Sequence, residues 1–177
     1  MTKGVPYIFL VAFLLLFSYS CEKEQVSFYI HDEHDFEIKA GLNTIETHFF
    51  VFRNIKNTLP QELYNQGLSF DDVKVIYAGK GLIQPVFDDF QYGDIREVSI
   101  WVVSPIDPSI RHEIYYLDQI PYSMRGEMKL LSGIANLKDF LSLHSSYNLE
   151  IQIKFRNFVP ANTLNRFTYS FAIFLNQ

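Results

Sequence analysis

Apolar and polar residues alternate along most of the chain from residue 25 onward, and the alternation is clearest towards the carboxyl terminus. There it runs through residues 149–156 and 166–175. Residues two apart on a strand share a face, so this period predicts antiparallel strands with one face turned to a core. Shorter runs of the same kind bring the predicted total to about nine or ten strands, the others being 26–30, 36–38, 44–53, 73–77, 82–87, 95–103, 114–117 and 128–131.

Helical spacing is confined to two short segments. Residues 60–66 begin with a proline, follow Thr58 as a candidate cap and stop at Gly67, which predicts a helix of two turns. Residues 136–142 have apolar positions at helical spacing and predict a second helix. Neither is long enough to connect parallel strands. The chain is therefore predicted to be all-β, a single antiparallel β-sandwich with Greek-key-like connections and one or two short helices, over residues 26–177.

Three local patterns lead to further expectations. Residues 44–53 carry apolar side chains on both faces, which predicts a strand in the middle of a sheet. Residues 79–81 read Gly-Lys-Gly and predict a turn between two strands, because glycine adopts positive φ without steric cost. The charged run 31–35 is interpreted as a solvated turn between two short strands.

The first 20 residues follow a different pattern and predict a signal peptide. Lys3 precedes an apolar run of 13 residues from Val5 to Phe17, and small residues, Ser18 and Ser20, stand before Cys21. Thirteen helical residues reach about 20 Å, well short of the ~30 Å hydrocarbon core of a bilayer. A cleaved leader over residues 1–20 is therefore favoured over a permanent membrane span.

The position of Cys21 resembles the acylated cysteine of bacterial lipoproteins, and the loose, aromatic-rich leader is similar to those of Bacteroidota lipoproteins. The acidic-basic run Glu22, Lys23, Glu24 looks like the tag that directs such lipoproteins to the cell surface. The resemblance implies a lipid-modified, palmitate-bearing Cys21, a short tether over residues 21–25, and an outer-membrane location, at the cell surface or on the periplasmic face. Two or more acyl chains suffice for stable anchoring.

Charge and cysteine content exclude several classes of function. The 15 basic and 20 acidic side chains give a net charge of −5, and removal of residues 1–20 makes it −6. No basic surplus is present to displace counterions from phosphates, so no nucleic-acid partner is expected. The single cysteine excludes an internal disulfide and any zinc site with several thiolates.

Motifs for catalysis or metal binding are lacking. The chain has no nucleophile elbow, no H-E-x-x-H and no phosphate-binding loop. His31 and His34 with three carboxylates form the densest set of potential metal ligands, but on an extended segment positions i and i+3 point to opposite faces. We therefore expect no catalytic residue, metal or cofactor.

Aromatic residues supply the remaining candidates for a binding surface. Tyrosine and tryptophan side chains suit both protein interfaces and stacking on sugars. Three phenylalanines lie on faces opposite the main apolar stripe of their strands, which indicates a second buried layer or a docked partner. The candidate partner-binding residues are Trp101, Tyr115, Tyr116, Phe50, Phe52 and Phe174.

These expectations lead to one functional hypothesis and two alternatives. The first is a non-catalytic, membrane-anchored lipoprotein that acts as an accessory or docking subunit of an outer-membrane complex, such as an importer, a secretion system or an assembly machine. The first alternative is a cell-surface module that binds glycans through exposed aromatic side chains such as Trp101. The second is a hydrolase, which would require a cleft with two carboxyl groups, one of them with a raised pKa.

Overall fold

The structure is a computed structural model that describes residues 25–87 and 90–176. The predicted signal peptide, Cys21 and most of the predicted tether lie outside the described residues. The described part contains eight strands, two α-helices and two short 3₁₀ turns. Their bounds are β1 Phe28–Ile38, β2 His48–Lys56, α1 Leu59–Asn65, a 3₁₀ turn Phe70–Asp72, β3 Val73–Pro85, a 3₁₀ turn Tyr92–Asp94, β4 Ile95–Val103, β5 Arg111–Leu117, β6 Met128–Ser132, α2 Lys138–Leu143, β7 Ser146–Phe155 and β8 Thr163–Leu175.

The predicted all-β, antiparallel sandwich is confirmed. The strands follow the order β1-β8-β3-β6-β5-β4-β7-β2, and every pairing is antiparallel. The short β6 joins two halves of four strands, β1-β8-β3-β6 and β5-β4-β7-β2. This order is that of a jelly roll, in which eight strands are connected as two Greek keys and form two facing sheets.

The two halves enclose one aromatic-rich core. The ring centroids of Tyr115 and Phe167 lie 5.8 Å apart across it, and those of Tyr147 and Phe171 lie 6.1 Å apart. Among the described residues, the buried apolar side chains all lie between Phe36 and Ile173. The chain from Cys21 onward therefore contains the whole described core.

Antiparallel pairing sorts the connections onto two ends of the sandwich. The end at which β1 begins and β8 ends, called here the near end, carries the loops 57–72, 104–110 and 133–145. The opposite end, the far end, carries the loops that join β1 to β2, β3 to β4, β5 to β6 and β7 to β8. The segment that leads from Cys21 thus enters β1 at the near end.

Two predicted turns are wrong, which leaves fewer strands than expected. The charged run 31–35 lies inside β1, because each of its residues is paired with one of β8 from Arg166 to Ser170. The predicted turn at 79–81 is a bulge within the continuous β3. Gly81 is required there by close packing, since an added Cβ would lie 2.6 Å from the Tyr115 ring.

The expectation for residues 44–53 is also wrong, since β2 lies at an edge of the sheet rather than in its middle. Its inward residues pack on the core, whereas Phe49 and Val51 on the other face are exposed. The two helices are confirmed to within two residues at each end. No helix of the described residues is long and apolar enough to span a membrane.

Candidate functional site

An aromatic groove crosses the outer face of β1, β8 and β3 close to the near end of the sandwich. Cross-strand register places Ala172 of β8 between Tyr29 of β1 and Tyr77 of β3. Two residues further along the same outer face, Ser170 of β8 lies beside His31 of β1. The small side chains of β8 form the floor and the aromatic side chains form the walls of a groove of about 510 Å³.

Gly79 keeps the floor of this groove low. A Cβ atom at this position would collide with the Ser170 hydroxyl and lie 3.3 Å from the Tyr29 ring. Ser170 Oγ instead accepts a hydrogen bond of 2.9 Å from the Lys80 backbone N–H. The edge of the Phe174 ring meets Tyr77 with centroids 5.9 Å apart, which completes the second wall. The predicted binding residue Phe174 therefore lines this groove.

The four loops at the far end are bonded to one another. Arg156 of the β7–β8 loop donates to the Ile120 carbonyl of the β5–β6 loop at 2.6 Å, and its guanidinium lies 4.4 Å from the centre of the Tyr122 ring. Gln91 of the β3–β4 loop donates to the Tyr122 carbonyl. The other contacts are Asn157 to Asp94 and Gly41 to Val159. Loops held in this way form a defined surface on a rigid scaffold.

That surface combines a cleft with exposed apolar side chains. The cleft, of about 360 Å³, lies between the β3–β4 and β7–β8 loops and is lined by Phe87, Phe90 and Pro160, among others. Each of the four loops also exposes a large apolar side chain. These are Ile45 in the β1–β2 loop, Phe87 in the β3–β4 loop, Tyr122 in the β5–β6 loop and Phe158 in the β7–β8 loop. We refer to this region as the far-end surface.

Phe50 and Phe52 close the open side of the sandwich between its two edge strands. Phe50 packs on Phe36 of β1 with centroids 5.0 Å apart, and Phe52 stacks on His34 at 4.8 Å. Both are partly buried against the core. They therefore belong to the single core rather than to a second layer or an open docking face, because the face expected to be the main apolar stripe, with Phe49 and Val51, is the exposed one.

Tyr115 is a core residue, not a surface residue. It has 0% exposure, and its hydroxyl donates to the Ser170 carbonyl at 2.7 Å. Burial raises the pKa of this hydroxyl far above its ordinary range. The prediction that it contacts a partner is therefore wrong. The physical reason is a bulge in β5 opposite Ile100 and Trp101 of β4, beside which the consecutive residues Ile114 and Tyr115 are both buried.

Trp101 and Tyr116 lie on the outer face of the second half. The Arg111 guanidinium covers the Trp101 ring at 4.4 Å and pairs with Glu150 at 3.0 Å. The indole N–H donates to Ser99 Oγ at 3.0 Å. One face of the ring and its only donor are thus already occupied.

A small pocket beside Tyr116 gathers acidic side chains. It has a volume of about 240 Å³ and is lined by Glu97, Glu113 and Asp118. Partial burial raises the pKa of Glu113, while Glu97 pairs with Lys154 at 3.7 Å. Ligand sites usually span about 300–1,000 Å³, so this pocket falls below the range that the aromatic groove and the far-end cleft reach.

A polar cluster lies between the sheets at the β1 edge. Tyr169 Oη donates to Asp32 Oδ2 at 3.1 Å and is bonded to Tyr147 Oη at 2.8 Å, while His34 Nε2 lies 3.3 Å from the same Asp32 oxygen. Burial would raise the pKa of Asp32, but hydrogen bonds from His34, the Glu33 N–H and Tyr169 together lower it. The adjoining cavity of about 10 Å³ is roughly the size of one water molecule. The cluster is bonded within itself at the β1 edge, where the Asp32 side chain stays 40% exposed.

The charged run of β1 does not gather metal ligands. Asp32 and His34 face inward, whereas His31, Glu33 and Asp35 face outward, as the period of a strand requires. Within residues 25–87 and 90–176, no group of three or more histidine, cysteine, aspartate or glutamate side chains could hold a metal ion.

Comparisons with known proteins give no family. No family model matches the chain, and no curated protein does. Among solved structures, one of Desmodium yellow mottle tymovirus is similar at 10% identity and a TM-score of 0.26, covering 84% of this chain and 90% of that chain. The structure of Cocksfoot mottle virus is similar at 7% identity and a TM-score of 0.24, covering 88% and 90%. At these TM-scores neither likeness bears on the function of this chain.

Sequence reasoning missed most of the aromatic groove. Only Phe174 was singled out, because it stands opposite the main apolar stripe of its strand. The small outward residues Ser170 and Ala172 were a usable signal, since small residues on one strand leave space between larger neighbours. Their aromatic neighbours come from β1 and β3, so the groove required the strand order.

Proposed function

We propose that this chain is a non-catalytic lipoprotein of the outer membrane, anchored through an acylated Cys21, that acts as a docking subunit of a larger membrane complex. The observation that supports docking is the placement of the far-end surface. It lies at the end of the sandwich opposite the segment that leads from Cys21. An anchored module would therefore present this surface at the end remote from its attachment.

The chemistry of the far-end surface suits a protein partner. Aromatic side chains are enriched at protein interfaces, and Phe87, Tyr122 and Phe158 are all largely exposed on these loops. The hydrogen bonds between the loops fix their positions before a partner binds, which reduces the entropy lost on association.

Site-specific photo-crosslinking of the full chain in its native membranes tests this proposal. A photoreactive residue at Phe158 or Tyr122 should give a discrete protein adduct. The matched control is Tyr64 on α1 at the near end, which is 78% exposed against 73% for Tyr122. Ile45→Ser should weaken the adduct from Phe158. Equal adducts from Tyr64 and Tyr122, or none from either far-end position, would reject docking through this surface.

The glycan-binding alternative has less support at Trp101. A sugar stacked on this indole would have to displace Arg111 from one face, and the indole N–H is bonded to Ser99. Glycan retention in an affinity gel that disappears in Trp101→Ala would nevertheless favour this alternative.

The hydrolase alternative has one observation in its favour. The pKa of Glu113 is raised, and Glu97 and Asp118 place two further carboxyl groups in the same pocket. Such a combination is found at sites of acid-base catalysis. Turnover of aryl glycosides that disappears in Glu113→Gln, with the fold intact, would favour hydrolysis over docking. The small volume of the pocket makes docking the preferred proposal.

A further inference from the structure

We propose that the aromatic groove of β1, β8 and β3 lies against the bilayer interface and holds the anchored sandwich in one orientation. This inference rests on the anchoring through Cys21 proposed above. It adds a second, non-covalent membrane contact to the acyl anchor and assigns it to named side chains.

The first argument is the reach of the tether. Val26 lines the groove, and only five peptide steps separate it from Cys21. A fully extended chain spans at most about 3.6 Å per residue, so the backbone can separate Cys21 from Val26 by at most roughly 18 Å. The chain that leaves the membrane therefore arrives at this groove before it enters β1.

The second argument is charge. The chain is acidic overall, yet the groove lining includes Lys80 and, among the described residues, no carboxylate. The nearest acid on the outer face of β1, Glu33, is paired with Arg166 at 3.3 Å. A cationic, apolar groove is compatible with phosphate headgroups.

The third argument is the chemistry of the walls. Tyrosine has an apolar ring and a polar hydroxyl, and such side chains settle at the level of the headgroups. Tyr29 is 50% exposed, which leaves much of its ring available for contact. Phe174 adds an apolar edge between Tyr77 and the end of β8.

The loops at the near end are a rival membrane contact, and their charge argues against them. They expose Ile106, Ile134 and Leu143. Asp107 directly follows Ile106, and Asp139 lies one helical turn before Leu143. Acidic side chains are repelled by anionic lipid, and the described lining of the groove contains none.

Depth-dependent fluorescence quenching tests the proposal on the chain from Cys21 to Gln177, which contains the whole described core. Cys21, the only cysteine, is coupled to a maleimide lipid in vesicles of phosphatidylethanolamine and phosphatidylglycerol with brominated acyl chains. Tryptophan probes replace Tyr29 or Tyr77 in a Trp101→Phe background. We expect several-fold stronger quenching at both positions than for Tyr122→Trp at the far end, and a blue-shifted emission.

Two results would contradict the proposal. Quenching at Tyr29 no stronger than at Tyr122 would overturn the proposal. Quenching of Ile134→Trp without quenching of Tyr29→Trp would also overturn it and would assign the membrane contact to the near-end loops. Circular dichroism of each variant confirms that the sheet is retained.

Because Cys21 is attached chemically to the maleimide lipid, the experiment tests this inference independently of the proposed function. The maleimide lipid imposes an anchor whether or not the cell acylates Cys21, so quenching reports on the groove alone. Mass spectrometry of the native amino terminus reports on the anchor alone. An unmodified Cys21 in the native protein would reject the proposed anchoring without changing the quenching result.

Discussion

At the scale of single residues, the alternation of side chains along β1 places one carboxylate towards the interior and another towards solvent. Asp32 faces the interior, where Tyr169 and His34 bond to it. Asp35 faces outward and accepts two bonds from Arg166, at 2.7 and 3.0 Å. Both have a lowered pKa, but the outer pair is open to solvent and screened.

We predict that Asp32→Asn lowers the free energy of unfolding at neutral pH by on the order of 1 kcal/mol, a modest loss because the side chain is partly solvated. The folded pKa of Asp32 lies below its unfolded value, so its contribution is complete above the unfolded pKa and is lost as the pH falls through the folded pKa. Urea unfolding of variant and parent should therefore converge at acidic pH.

Asp35→Asn on the same strand is the control, and its effect at neutral pH should be smaller. A difference between Asp32→Asn and the parent that persisted unchanged in acid would show that the ionised carboxylate does not stabilise the polar cluster.

At the scale of elements, β2 shows how position in the sheet decides the role of a strand. Its alternation of two apolar faces resembles that of a central strand, yet it pairs only with β7. Phe50 and Phe52 reach β1 across the open side of the sandwich, while Phe49 stays 58% exposed. Side-chain packing, rather than hydrogen bonding, closes this side.

We predict that Phe50→Ala lowers the free energy of unfolding by about 2 kcal/mol, because it removes a half-buried ring from Phe36. Phe49→Ala, the neighbouring position on the outer face, should change it by less than about 0.5 kcal/mol. Equilibrium denaturation by urea measures both. Equal losses in the two variants would mean that Phe49 is covered in solution.

Prediction from sequence succeeded best at this scale where one face of a strand is buried. β4 was predicted with its observed bounds, Ile95–Val103, and the polar positions of β7 are those that face outward. It failed at 79–81, where glycine serves close packing against Tyr115 and Ser170 rather than a turn. Sequence shows that a glycine is present, but not which distant side chain requires it.

At the scale of the whole molecule, the structure separates a near end, where β1 begins, from a far end of connected loops. The proposed far-end docking surface therefore lies at the end of the sandwich opposite the start of β1, towards which the proposed anchor at Cys21 leads. The aromatic groove lies on an outer face close to the tether.

We predict that Cys21→Ser releases the folded chain from the membrane into the soluble fraction, because the acceptor sulfur for the acyl chains is lost. Fractionation of cells that carry a tag after Gln177 measures the distribution, and circular dichroism of the released protein checks its fold. Membrane retention equal to that of the parent would reject acylation as the anchor.

The sequence by itself determined the class of fold, since alternation at period two depends only on burying one face of each strand. It also predicted Cys21 as an acylation site, a prediction that rests on local context alone. Tertiary structure alone decided the strand order, the edge position of β2, the burial of Tyr115, the groove beside Phe174 and the meeting of four loops at the far end. Each of these depends on contacts between segments distant along the chain, and such contacts leave no periodic pattern in any one of those segments.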